Sequence, residues 1–119
     1  MKKISMFIVG ILCLSFFSGC ATWQMEMKRN NENLLKLEMG MSKEDVLAIM
    51  GKPTFNEAYQ SLQGRPVIIL FYYTQRKWAD GSYTKDECTP IVFENGKLVG
   101  WGDEFYKTKM EIDINVKHK

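Results

Sequence analysis

Val67-Ile68-Ile69-Leu70-Phe71-Tyr72-Tyr73 is an unbroken apolar run rich in β-branched and aromatic side chains. Both of its faces are apolar, which places it at the centre of a sheet rather than on a half-exposed edge. Upstream, Phe55 to Leu62 reads as a short strand, with Gly64-Arg65-Pro66 as the turn into the long one. Downstream, Ile91–Glu94 and Lys97–Trp101 flank Asn95-Gly96, the strongest short-range signal for a type I′ hairpin. Asp80-Gly81 marks a looser loop between the long strand and that hairpin.

Before the strands the period is helical. Ser42 stands as an N-cap with Asp45 at N3, and Met41 and Val46 take the hydrophobic-staple positions. Val46, Leu47, Ile49 and Met50 supply an apolar face, and Gly51 followed by Pro53 ends the helix. Glu32 to Met39, with Leu34, Leu35 and Leu37, reads as a shorter helix stopped by Gly40. Residues 21–31 show little helical period, while Trp23, Met25 and Met27 alternate. They read as a tether that reaches at most ~36–40 Å when extended. Met110 to Lys117 alternates apolar and polar over eight residues, which favours a further strand. The expected fold is therefore α+β: two short N-terminal helices packed on a three-stranded antiparallel sheet, extending to four.

The first twenty residues set the compartment. Lys2 and Lys3 precede the apolar stretch Ile4 to Phe17. As a helix that stretch covers about 21 Å, short of the roughly 30 Å hydrocarbon core, so it reads as a secretory signal rather than a spanning helix. It closes on Phe17-Ser18-Gly19-Cys20-Ala21, which resembles the lipobox of bacterial lipoproteins, although Phe17 stands where Leu or Val is usual. The resemblance implies acylation of Cys20, and Ala21 after it resembles lipoproteins sent to the outer membrane. An ordinary secretory signal cut after Ala21 is the alternative. The chain then divides into a signal at 1–19, a lipidated Cys20 and tether to residue 31, a domain at 32–106 and an extension at 107–119. The chain's formal charge of +2 belongs to that signal, because loss of Lys2 and Lys3 leaves the side chains balanced. Of three cysteines, Cys88 alone remains as a thiol, which excludes an internal disulfide and favours a buried, inert residue.

The order helix, helix, three strands, with Gly40-Met41-Ser42-Lys43, Val46 and Met50-Gly51-Lys52-Pro53, resembles the SmpA/OmlA group of small outer-membrane lipoproteins. That group includes the BamE-like subunit of the β-barrel assembly machinery. A closer resemblance is to a lipoprotein family of the same layout with no assigned activity. It rests on Tyr72-Tyr73-Thr74-Gln75-Arg76, Asp80-Gly81, the run Thr84-Lys85-Asp86-Glu87-Cys88-Thr89-Pro90, and Phe93 with Gly96 to Gly102. It spans residues 33 to 106 and implies fold and location more than activity.

Little in the sequence points to chemistry. A metal site needs clustered ligands, but the single histidine, His118, lies at the far C-terminus and Cys88 has no second thiol. Asp80, Asp86 and Glu87 read as solvated loop charges; adjacent Asp86 and Glu87 would point to opposite sides of an extended segment. Nothing positions a base near Cys88, no phosphate loop of known spacing occurs, and the basic pairs Lys28-Arg29 and Arg76-Lys77 are too short for nucleic acid. The expectation is a non-enzymatic protein without cofactor, metal or nucleic-acid partner. It would be held to the outer membrane by its lipid, facing the periplasm and binding another envelope protein. Aromatic residues are enriched in interface cores, so Trp78, Arg76, Lys77, Tyr72 and Tyr83 are the candidate contact residues. A ligand-binding or inhibitor module of β-lactamase-inhibitor-like layout is the alternative, and a small enzyme using the acidic loop is a third reading.

Overall fold

A computed structural model describes residues 22–77 and 83–114. It contains α1 (Thr22–Leu34), α2 (Lys43–Met50), β1 (Phe55–Gln60), β2 (Pro66–Tyr73), a 3₁₀ turn (Lys85–Glu87), β3 (Cys88–Glu94), β4 (Lys97–Trp101) and α3 (Asp103–Ile114). The strands form one antiparallel sheet in the order β1-β2-β3-β4. The fold is α+β, and the apolar run at 67–73 lies inside the sheet between β1 and β3. Asn95 and Gly96 both take positive φ, 53° and 77°, as a type I′ turn demands.

Each face of β2 carries its own core. On the first face Leu70, Tyr72, Ile91, Phe93 and Leu98 meet Val46 and Met50 of α2, with Leu37 tucked beside them. Ser42 caps α2 as its spacing requires, its Oγ accepting from Asp45 N at 3.1 Å. On the second face Val67, Ile69, Phe71, Tyr73, Cys88 and Val92 are covered by Trp23 and Met27 of α1 and by Phe105, Tyr106 and Met110 of α3. At Gly100 the chain lies directly under the Phe105 ring; a Cβ there would come within 2.6 Å of it. Glycine is what lets α3 approach β4 this closely.

Three expectations change. Residues 22–31 are helical rather than a tether, because Trp23, Met27, Asn30 and Leu34 form a stripe at helical spacing that faces the sheet. The expected helix at 32–39 ends at Leu34, and Leu35 beyond it is 88% exposed. The segment from 110 to 114, expected as part of a strand, belongs to α3. Its inward stripe includes Lys109 and Asp113, whose polar side chains are satisfied within the protein. Tyr59 Oη donates to Asp113 at 2.6 Å, and Lys109 bridges Glu94 at 3.2 Å. Those pairings hide the helical period from a hydrophobicity reading. Residues 115–117 of the alternating run lie outside the described residues.

Candidate functional site

The loop that follows β2 is built on a buried carboxylate. Glu87, at 0% exposure, accepts from Lys77 N at 3.0 Å through one oxygen, and from Thr84 N at 3.1 Å and Thr84 Oγ1 at 3.0 Å through the other. The Glu87 carbonyl accepts from Thr74 N and Gln75 N, both at 3.1 Å. One residue thus draws together the two ends of the segment that carries Trp78. These bonds replace the water a carboxylate would otherwise require. The Thr84…Glu87 spacing is that of a capping box and was readable as such. Solvated loop charge describes Asp86, which is exposed, but not Glu87.

Helix α1 is stitched to the same place. Asn30 Nδ2 donates to Tyr73 O and Asn31 Nδ2 to Thr74 O, each at 2.9 Å. The Arg76 guanidinium stacks over the Trp23 ring at 4.3 Å, and Tyr83 Oη donates to Glu26 at 3.2 Å. The Tyr73 and Tyr83 rings lie 4.3 Å apart. Loop and helix therefore form one aromatic and charged surface, flanked by Met25 at 69% exposure. Desolvation, reinforced by Glu26, raises the Tyr83 phenol above its ordinary range and keeps it a hydrogen-bond donor.

The expected contact residues divide. Arg76, Lys77 and Tyr83 are exposed and adjoin this surface. Tyr72 does not. It is 1% exposed, packs under α2 and donates to Gly51 O at 2.7 Å, so it is a core residue rather than a docking residue. Strand alternation separates it from Tyr73, which sits on the opposite face. Trp78, Asp80, Cys20 and His118 lie outside the described residues. Glu26, Asn30 and Asn31 carry no mark in the sequence, whereas Trp23, with Met25 and Met27, reads there as a side chain that a partner or the membrane interface could capture. The signal for all three was the helical stripe in residues 22–34, masked by the alternation of Trp23, Met25 and Met27.

Chemical alternatives find few groups. Cys88 is 1% exposed, and burial pushes its thiol up to about 11. Among the described residues no group of three His, Cys, Asp or Glu could hold a metal. A hollow of about 250 Å³ lies beside Phe71, Lys85, Tyr106 and Lys107, below the usual size of a ligand pocket. Its Lys85 is already engaged by Glu57.

A family model matches residues 14–108, which is most of the chain and includes the whole Thr84–Pro90 run. The chain belongs to the family described as protein of unknown function (DUF3192). No curated protein matches it. A solved structure described as the osmotically inducible lipoprotein OsmE is similar to this DUF3192 chain at 26% identity. That likeness covers 70% of this chain and 83% of the other, with a TM-score of 0.44. In this DUF3192 member the Thr84–Pro90 run has a structural meaning: Thr84 and Glu87 close the loop, Cys88 enters the core, and Thr89 Oγ1 meets Thr74 Oγ1 at 2.7 Å.

Proposed function

We propose that this protein is a lipid-anchored, non-enzymatic subunit of the bacterial envelope that binds another envelope protein through the surface that α1 shares with Arg76, Lys77 and Tyr83. The reading rests on one observation above the rest. Helix α1 begins at Thr22, two residues after Cys20, and is bonded to the root of the loop through Asn30 and Asn31. A lipid on Cys20 would therefore hold the loop at a set distance from the membrane, with little slack between anchor and surface. The family match begins at residue 14, so the Ser18-Gly19-Cys20 run falls within it. Ala21 in the position after that cysteine, as in the lipoproteins sent to the outer membrane that the run resembles, supports placement there facing the periplasm. Among the described residues no helix is long and apolar enough to cross a membrane. The inert thiol at Cys88 supports a binding role over catalysis.

Palmitate labelling tests the anchor: wild type incorporates label and Cys20→Ala does not, whereas equal labelling overturns it. Photocrosslinking in cells tests the surface. A probe at Tyr83 should give a discrete adduct that a probe at Lys97, exposed at the opposite end of the sheet, does not give. Indistinguishable patterns from the two sites overturn the assignment.

A further inference from the structure

The two edges of the sheet are treated differently. On the β4 side, Gly40 N donates to Leu98 O and Leu98 N to Met41 O, both at 2.8 Å, and Ser42 bridges Lys97. That edge is occupied. On the β1 side no main-chain partner is found among the described residues. Hydrogen-bond parity shows which groups are left. Ser61 N donates to Arg65 O at 2.9 Å in step with the register that sets Phe55 opposite Phe71. The odd-numbered residues of β1 therefore bond to β2. Asn56, Ala58 and Gln60 aim their N–H and C=O groups outward, and all three are exposed.

We propose that this edge pairs with the same edge of a second copy of the chain, antiparallel about a two-fold axis at Ala58, making one continuous eight-stranded sheet. The register is self-matching. Ala58 faces its own copy in a hydrogen-bonded pair, and Asn56 and Gln60 face each other in two more, so every outward group finds a partner. The side chains agree with this centre. Ala58 is small enough to meet itself, and the Asn56 and Gln60 carboxamides supply matching donors and acceptors across the strands. On the other face Glu57 comes opposite Tyr59 of the second copy. A centre one residue earlier would set Glu57 against Glu57, which like-charge repulsion disfavours. The chain's formal charge of +2 offers little repulsion between copies. A pairing of five residues per strand, Asn56 to Gln60, falls in the weak, reversible class of interface.

The experiment uses the purified full-length chain in detergent with a mild thiol oxidant. Cα atoms in an antiparallel hydrogen-bonded pair are about 5.5 Å apart, within the span of a disulfide. Ala58→Cys should therefore form a linked dimer, on the order of tenfold above Asn56→Cys or Gln60→Cys alone. Mixing the Asn56→Cys and Gln60→Cys chains should restore the dimer. The unsubstituted chain, whose Cys88 is buried, sets the background. In sedimentation the unsubstituted chain should dimerise with rising concentration, and Ala58→Lys should remain monomeric with an unchanged melting temperature. Equal linking at 56, 58 and 60, no linking at 58, or a chain monomeric at every concentration overturns the proposal.

Discussion

The two faces of the sheet are covered by different means. Helix α2 lies on the first face with Val46 and Met50 buried against Leu70, Tyr72 and Phe93. Burial of apolar side chains holds it, each contributing roughly 1.5–3 kcal/mol. The second face is covered by α1 and α3, whose inward stripes carry Asn30, Lys109 and Asp113. These helices bring apolar anchors (Trp23, Met27, Phe105, Met110) but are registered by hydrogen bonds to the strands. A layer held by apolar area tolerates small shifts, whereas one held by directional bonds to carbonyls fixes where a helix begins and ends. The second arrangement is the one that joins the region after Cys20 to the loop at 74–84.

Variants at Met50, Asn30 and Lys85, together with alkaline pH, would break or sharpen this contrast. Met50→Ala should give the largest loss, about 2–5 kcal/mol in denaturant unfolding, with the whole domain melting in one step. A separate early transition for α2 would count against a single core. Asn30→Ala should cost about 1–3 kcal/mol, because Tyr73 O is left buried without its donor. Hydrogen exchange should show α1 losing protection while α2 and β2 keep theirs. Uniform loss across the molecule would remove the distinction between the layers.

Alkaline pH should weaken both faces in sequence. On the second face the folded Cys88 thiol sits at about 11 against 9.0 for the free group. The unfolded chain therefore releases this proton first. The associated stability is intact below pH 9 and lost as pH rises toward 11, on the order of 1 kcal/mol by pH 10. Tyr72 on the first face, raised by burial from 10.0 to about 12, extends the decline one unit higher. Native protein at pH 8 should accordingly leave Cys88 unreactive to a thiol reagent until denaturant is added; rapid labelling without denaturant would contradict a sealed core. The smallest effect is expected at Lys85→Ala. Its ion pair with Glu57 is exposed on the rim of the second face, and the melting temperature should not move.

The same division governs what could be read in advance. Helix α2, the run at 67–73 and the Asn95-Gly96 hairpin were legible because each carries a local signal: a cap and an apolar face, a continuous β-branched and aromatic stretch, a turn that needs positive φ. Helices α1 and α3 were not, because the residues completing their inner stripes are polar. Asn30 and Asp113 look like surface residues until Tyr73 O and the Tyr59 hydroxyl are brought beside them. The alternation at 110–117 suggested a strand, but Phe105, Tyr106, Lys109, Met110 and Asp113 had already committed that segment to a helical stripe. In the candidate site Arg76, Lys77 and Tyr83 are exposed. Tyr72 is buried because strand alternation turns it under α2, and Glu87 is buried because Thr84, three residues before it, closes on its carboxylate.

Local chemistry in the chain alone determined the α+β class, the central strand, the hairpin and the capped helix. These depend on neighbours a few residues apart, and short-range sterics and periodicity suffice to specify them. Tertiary structure decided which helices cover the second face, that Glu87 closes the loop from inside, and that the 40–42 segment seals β4. Each depends on pairing polar groups that lie distant in sequence. Burial of Asn30 or Glu87 is favourable only once a particular carbonyl or amide, supplied by another element, stands within hydrogen-bonding distance.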